Sequence, residues 1–404
     1  MSPEANQSNT SKRLAVKLKP AAQQQLYKKH PWIFEQGIAK IPPGGKAGDL
    51  CIVFDNKSNQ VIGIGLYDPS SAIRIKMIHH GGGIKIDKLF FQGQLERAIA
   101  KRTFFRDHDV TAYRILFGEN DQFPGLILDQ YNDKLVLKIY SEIWQPYLAL
   151  LLDIIKEVLR PLAIIGRLSR KAAAGGAFPF QDGELLWGEL KDPVVQFKEH
   201  GVNFQANLVK GHKTGFFLDH RHNRKRVGEL SKGKCVLDVF SYAGGFSVHA
   251  LVGGATEVTS IDISGQAIEL AKANASLNDH QGEHMTVAAD AFDTLSSMVE
   301  QGEQFDLVVI DPPSFAGQAS QVKMALKQYG RLARLGSQLT KNGGVLVLAS
   351  CSSRVSSQSF FDRCEQELMQ IIRKFTVMET TFHDIDHPIG FPEGAYLKTR
   401  YYRL

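Results

Sequence analysis

DLVVIDPPSFAG at 306–317 is an apolar, β-branched run that stops at Asp311, with two prolines and an aromatic directly behind it. GGVLVLASCSS at 343–353 repeats the plan and stops at Cys351, between two serines. Short apolar runs bounded by turn residues read as buried strands. In an open α/β sheet the ligand crevice lies beyond the carboxyl ends of the strands. Asp311 and Cys351 are therefore expected to face one pocket from neighbouring strands. A carboxylate and a thiol at one crevice suit group transfer to a planar base.

Working outward, the chain from about Asp192 offers further strands in CVLDVF, EVTSID, MTVAAD, TVMETTF and YLKTRYYRL, with helical patterns between the first several. Strands alternating with helices imply a doubly wound, mostly parallel sheet. The last two strands have no helix between them, which implies an antiparallel hairpin at the sheet edge. Residues 13–78 read instead as short strands (LAVKLK, LCIVFD, VIGIGLYD, AIRIKMI) separated by Gly/Pro turns, a small β-barrel or sandwich. Between them lies an α+β stretch with a helix in IDKLFFQGQLERAIAKRTFF, a strand pair around GLILDQYNDKLVLKIYS and a helix in PYLALLLDIIKEVL. AAAGGAFPF at 172–180 reads as a flexible loop. The expected layout is a polar leader at 1–12, an all-β domain at 13–80, a central α+β domain at 81–191 and a Rossmann-like domain at 192–404.

The 404 residues are 43% apolar and 22% charged, in keeping with a globular chain of two or three domains. No apolar run reaches membrane-spanning length, and MSPEANQSNTSK does not have the pattern of a secretion signal. The four cysteines, Cys51, Cys235, Cys351 and Cys364, show no metal-ligand or disulfide spacing, so no metal is expected and a reducing, cytoplasmic setting is. A net charge of +6 permits an anionic partner without requiring one.

CVLDVFSYAGGFSVHAL at 235–251 is a strand, a glycine turn and a helix start. Gly244 and Gly245 allow close backbone approach, and the helix offers free N–H groups. The pattern is not GxGxxG, which disfavours a dinucleotide. EVTSIDIS ends its strand at Asp262, suited to both hydroxyls of a ribose, and MTVAADAF ends at Asp290, placed to accept from an adenine amino group. Acids at Asp238, Asp262, Asp290 and Asp311 close four strands in turn, which points to a nucleoside-shaped crevice.

This block resembles the class I S-adenosylmethionine (SAM) methyltransferases, with DVFSYAGGF as motif I, Asp262 as the ribose acid and DPPSF as motif IV. KTGFFLDHRHNR at 213–224, HPWIFEQGI at 30–38, GENDQFPGLILDQY at 118–131 and HPIGFPEGAYLK at 387–398 extend the resemblance to the large-subunit rRNA (cytosine-C5) methyltransferase I family. That resemblance implies a seven-stranded methyltransferase sheet preceded by an RNA-binding PUA β-barrel and a central domain. It implies that Lys213, Thr214, Gly215, Phe216 and Phe217 line the cofactor entrance. Phe240, Ser241 and Gly244 would contact the methionine part, Asp262 the ribose, and Asp290, with Ala291 beside it, the adenine; Asp238, Ile263 and Asp311 would also belong to the cofactor site.

DPPSF occurs in methyltransferases acting on nitrogens and in some acting on cytosine carbon 5. Its Pro312, Pro313, Ser314 and Phe315 offer rigid turns and an aromatic that can stack on an extruded base. Cys351 separates the alternatives. Cytosine carbon 5 is a poor nucleophile until a thiolate adds to carbon 6, whereas a nitrogen has its own lone pair. Asp311 would bind the protonated N3. Enzymes of this kind often carry a second cysteine beside the motif IV proline; here Ser314 stands there, so the base for the carbon 5 proton is unassigned. Arg221, Arg224, Lys225 and Arg226 form a basic group suited to RNA docking, and Lys12, Arg13, Lys17, Lys28 and Lys29 form a second one.

The reading is SAM-dependent methylation of ribosomal RNA at cytosine C5, with large-subunit rRNA as partner. The alternatives are a guanine N-methyltransferase with a structural Cys351, and an RNA-binding ribosome assembly factor that does not catalyse. No membrane partner is expected, and the sequence leaves a homodimer open.

Overall fold

The computed structural model describes residues 11–371 and 374–404; most of the expected leader lies outside them. The described chain divides into two compact units that interleave in sequence: residues 11–107, 111–195 and 206–215 form the first, and 108–110, 196–205, 216–371 and 374–404 the second.

The first unit holds two sheets. One contains β1 (Arg13–Leu18), β2 (Trp32–Phe34), β3 (Ile38–Lys40), β4 (Leu50–Phe54), β5 (Val61–Tyr67) and β6 (Ile73–His80), in the order β2-β6-β5-β4-β1-β3. Only β1 and β4 pair parallel. β1 alternates outward Arg13, Ala15 and Lys17 with buried Leu14, Val16 and Leu18, the period of a sheet with one dry face. A helix absent from the sequence reading, Pro20–Tyr27, starts on a proline, where the missing N–H costs nothing. The other sheet holds β7 (Ala112–Phe117), β8 (Leu126–Tyr131), β9 (Lys134–Ile139), β10 (Ala163–Leu168) and β11 (Glu184–Gly188), in the order β11-β10-β9-β8-β7. The helix Leu148–Leu159 joins the parallel pair β9 and β10. AAAGGAFPF is a loop only in its second half: Ser169 caps a helix over Arg170–Gly175, Gly176 ends it in the left-handed region, and the irregular stretch beyond sinks Phe178 and Phe180 into the core.

A hairpin of β12 (Val194–Glu199) and β13 (Val202–Asn207) follows, turning through His200 and Gly201, both with positive φ. The sequence reading missed it, although VVQFKEHGVNFQAN alternates buried and open positions throughout.

The second unit is built on β14 (Cys235–Val239), β15 (Glu257–Asp262), β16 (Glu283–Ala288), β17 (Phe305–Ile310), β18 (Thr340–Ser350), β19 (Thr376–Thr381) and β20 (Lys398–Arg403). They form one seven-stranded sheet in the order β16-β15-β14-β17-β18-β20-β19. The first five strands are parallel, and β20 runs antiparallel between β18 and β19. The hairpin is thus entered in reverse, with β19 and not the last strand at the edge. Leu237, Val308, Ile310, Leu346 and Leu348 are buried on the strands, and Tyr329, Leu332, Phe360 and Cys364 cover them from the helices Val322–Leu339 and Ser357–Ile371. The strand order reverses between β14 and β17, the point where a doubly wound sheet opens a crevice. Among the described residues no helix is long and apolar enough to cross a membrane.

Candidate functional site

The turn after β14 carries three left-handed residues in five: Phe240, Tyr242 and Gly244, with φ of 64°, 48° and 73°. Two of them are not glycine, and such conformations persist only where the surroundings hold them. Here the Ser241 N–H donates to the Ile261 carbonyl at 2.9 Å and the Tyr242 N–H to Asp262 Oδ2 at 2.9 Å. A Cβ on Gly244 would stand 2.8 Å from that of Ala271, so only glycine fits. The turn delivers the helix Gly245–Val252 with its N-terminus at the crevice.

Asp238 is fully buried in β14. Its Oδ2 accepts from the Ser247 N–H at 3.0 Å and Oγ at 2.6 Å, while Oδ1 has no donor among the described residues. Burial pushes this carboxyl up to about 7, and the Asp311 and Asp262 charges add to the shift against the Ser247 bonds. Ser241 Oγ is likewise buried and without a partner among the described residues. Two unmatched polar atoms on one strand and the turn that follows it are uncommon in a finished core. They fit the amino and carboxylate groups at the methionine end of SAM.

Asp262 is partly exposed at the end of β15; besides Tyr242 it accepts from the Ser264 N–H at 2.8 Å. Each oxygen keeps a lone pair for a ribose hydroxyl. Ile263 beside it is 75% exposed, an apolar surface that a flat ring would cover. Asp290 is exposed and caps the helix Ala291–Glu300 through Oδ1, which takes the Phe292 and Asp293 N–H groups. Its other oxygen meets no donor among the described residues, and Ala291 is buried behind it.

At the carboxyl end of the sheet, β17 and β18 lie side by side. Cys351 Sγ, half-buried, is 3.8 Å from the Pro312 carbonyl oxygen, so the thiol and motif IV share one place. The Tyr329 hydroxyl accepts from Ser350 Oγ at 3.0 Å; burial raises it to about 12, with Cys351 and Asp311 adding to the rise. In DPPSF, Pro313 and Ser314 are exposed, Pro312 is buried, and the Phe315 ring packs 5.1 Å from Tyr329 and 6.3 Å from Phe292.

Asp311 has a partner that the sequence did not suggest. His220 Nε2 lies 3.4 Å from Asp311 Oδ2, and its Nδ1 accepts from the Asn223 amide at 3.1 Å. Thr381 and Tyr401 hydroxyls donate to Asn223 Oδ1, which fixes the amide and thereby puts the imidazole proton on Nε2, toward Asp311. Burial would lower the pKa of His220, but the Asp311 carboxylate reverses this and raises it.

Three expectations change. Arg221 is fully buried, with its guanidinium 2.7 Å from Asp386 and 3.0 Å from Asp384. Arg224 is buried too, and its two nitrogens meet Glu199 at 2.6 Å each. Neither can face RNA, because both charges are spent inside the second unit. Lys225 is exposed, whereas Arg226 pairs with Glu229 and Glu379. Phe216 packs against Phe197, Phe204 and Arg224 and is a core ring, not a lining one. Phe217 is half-buried, edge-on to Tyr242 at 5.2 Å. Lys213, Thr214 and Gly215 belong to the first unit, where Thr214 Oγ1 donates to Asp129 at 2.6 Å and Lys138 holds the Lys213 carbonyl.

Comparison with known proteins bears on this site. Residues 178–391 match the S-adenosylmethionine-dependent methyltransferase family, and residues 16–80 a PUA-like domain. A ribosomal RNA large subunit methyltransferase of Deinococcus radiodurans is 37% identical over 98% of this chain and 99% of its own. A ribosomal RNA large subunit methyltransferase I of Shewanella denitrificans is 34% identical over 95% of this chain and 98% of its own. A Streptococcus mutans structure described as a SAM-dependent methyltransferase shares the fold, with a TM-score of 0.82 at 21% identity over 96% of this chain and 100% of that one. A second structure, of a methyltransferase in complex with SAH, gives the same TM-score and identity over 97% and 100%. The chain is an enzyme whose methyl donor is SAM, and it belongs to the S-adenosylmethionine-dependent methyltransferases, in the family of ribosomal RNA large subunit methyltransferases with an N-terminal PUA-like domain.

Proposed function

We propose that this enzyme methylates carbon 5 of a cytosine in large-subunit ribosomal RNA through a thiolate adduct at Cys351. The observation that carries the reading is the position of Cys351: at the crevice end of β18, against the Pro312 carbonyl, one strand from Asp311. A purely structural cysteine has no need of that end of the strand; Cys364, buried among apolar side chains, shows what one looks like here. The substrate class follows from relatives matched over nearly their whole length.

Asp238, Ser241 and Gly244 would hold the methionine end of SAM, Asp262 the ribose, and Asp290 with Ile263 and Ala291 the adenine. Bound there, SAM supplies an electrophilic methyl group. The Cys351 thiolate adds to carbon 6 of the cytosine, and Asp311 hydrogen-bonds the protonated N3, accommodating the electron density pushed into the ring. Carbon 5 becomes enamine-like and gains the methyl group; its proton then passes to solvent, and the C–H electron pair re-forms the 5,6 double bond as the thiolate leaves carbon 6. His220 orients Asp311 for this task. Exposed Pro313 and Ser314 are the motif IV residues open to the base.

In this reading the six-stranded sheet at 13–80 is a PUA-type RNA-binding barrel, 81–191 a central domain and 192–404 the catalytic domain, and the enzyme works in the cytoplasm. Exposed Lys12, Arg13, Lys28 and Lys29 would contact phosphates.

Cys351→Ala should abolish methyl transfer and leave SAM binding near normal by calorimetry. RNA with 5-fluorocytosine at the target should trap the wild-type enzyme covalently, since fluorine cannot leave as a proton does. Guanine N-methylation predicts the opposite on both counts, so an active Cys351→Ala enzyme overturns the proposal.

A further inference from the structure

Lys398 opens β20, where it pairs with Ser350, the residue before Cys351. Its side chain is 2% exposed. All three ammonium protons are placed: one on the Ser352 carbonyl, one on Val355 at 2.7 Å and one on Tyr396 at 3.1 Å. Two of these carbonyls belong to the turn that leaves the nucleophile. Among the described residues no carboxylate pairs with Lys398. A buried cation held only by neutral carbonyls is expensive unless a negative charge comes near it. The anion available is the Cys351 sulfur.

We propose that Lys398 is a positioning residue for methyl transfer, clamping the turn after Cys351 and holding the neighbouring thiol in its thiolate form. The proposal rests on the reading of Cys351 as the nucleophile. The thiol proton goes to solvent, and Lys398 keeps its own three throughout.

The surroundings give this cation a purpose. Asp311, beside Pro312, would oppose a second negative charge next to it, and in this proposal the Lys398 ammonium favours that charge at Cys351. Burial draws the ammonium down to about 8, and an ionised Cys351 draws it back up, which is the same coupling seen from the lysine. His383 also faces Lys398. Its imidazole is pushed down to about 4 by burial and by His387, His220 and Lys398, against the pull of Asp219, so it is neutral at physiological pH and does not replace the cation. Thiols beside a lysine titrate well below the ordinary value.

The test follows carbamidomethylation of the Cys351 peptide by iodoacetamide across pH 5.5–10 on the full-length protein, read by mass spectrometry. In the wild type the thiol should titrate at least about one unit below the ordinary ~8.5. In Lys398→Met, SAM binding should persist while alkylation at pH 7 falls about tenfold, the equivalent of one unit. If Lys398→Met no longer binds SAM, Lys398→Gln, which can still donate two hydrogen bonds without the charge, takes its place with the same expectation. A wild-type thiol at or above the ordinary value overturns the assignment, and so does a low value unchanged in the folded variant. Neither result touches the nucleophile itself, which stands or falls on the activity of Cys351→Ala.

Discussion

Asp238 illustrates how burial sets the charge state of a single side chain. It is fully buried, one oxygen is satisfied by Ser247 and the other is not, and its carboxyl is pushed up to about 7 by burial and by its acidic neighbours. A group whose folded pKa is raised contributes stability below its unfolded value that is lost as pH climbs through the folded one. The free enzyme should therefore lose stability between about pH 4 and pH 7 through this residue, and Asp238→Asn should flatten that part of the profile, read by thermal unfolding. A ligand that donates to Oδ1 favours the ionised form. SAM affinity should then rise between pH 5.5 and 7, approaching tenfold per unit, and calorimetry across that range checks it. Asp262→Ala should weaken SAM by about 1–3 kcal/mol, the cost of polar groups left unpaired.

At the scale of elements, a network joins the β12–β13 hairpin to the helices behind motif I. Glu199, the last residue of β12, receives two bonds from Arg224 and lies 3.0 Å from His249. Burial alone would raise its pKa, but the Arg224 guanidinium holds the carboxyl far below the usual glutamate range. Stability from this group is thus present above the ordinary glutamate pKa and lost only in strong acid. Glu199→Gln or Arg224→Met alone should cost about 3–5 kcal/mol by stranding a buried charge, and the double variant clearly less than the sum. Denaturant melts of the four proteins give the coupling; strict additivity would refute it. This network also marks where the sequence stops being readable. The strands that carry Asp238 and Asp262 near their ends, and the one that Asp311 follows, announce themselves, because an apolar run closing on an acid is a local signal. Arg221 and Arg224 read as a basic surface because the acids that neutralise them, Asp384, Asp386 and Glu199, are remote in sequence. His220 escaped notice for the same reason: its meaning lies in Asp311 and in an amide fixed by Tyr401. The helix Arg170–Gly175 was hidden by its alanines and glycines, and only the cap at Ser169 gives it away.

At the scale of the whole molecule, the two units interleave, since residues 206–215 fold with the first unit while lying between segments of the second. Arg167 holds the Leu208 and Gly211 carbonyls, and Asp129 holds Thr214. A chain shortened to begin at Asp192 should keep a cooperatively melting seven-stranded sheet. Its residues 206–215 should nevertheless exchange amide hydrogens much faster than in the full protein, and its salt-dependent RNA affinity should drop. Unchanged protection over 206–215, by mass spectrometry, would contradict this.

The placement of β20 between β18 and β19 bears on how the protein is made. A ribosome releases the chain in order, so β18 and β19 both emerge before the strand that must slip between them. Until residues 398–403 arrive, β18 has an open edge and Cys351 has no ammonium behind it. The same late strand that seals the sheet against sticky edge pairing thus also brings the side chain that holds the turn after Cys351, so that turn takes its final form only when the sheet does.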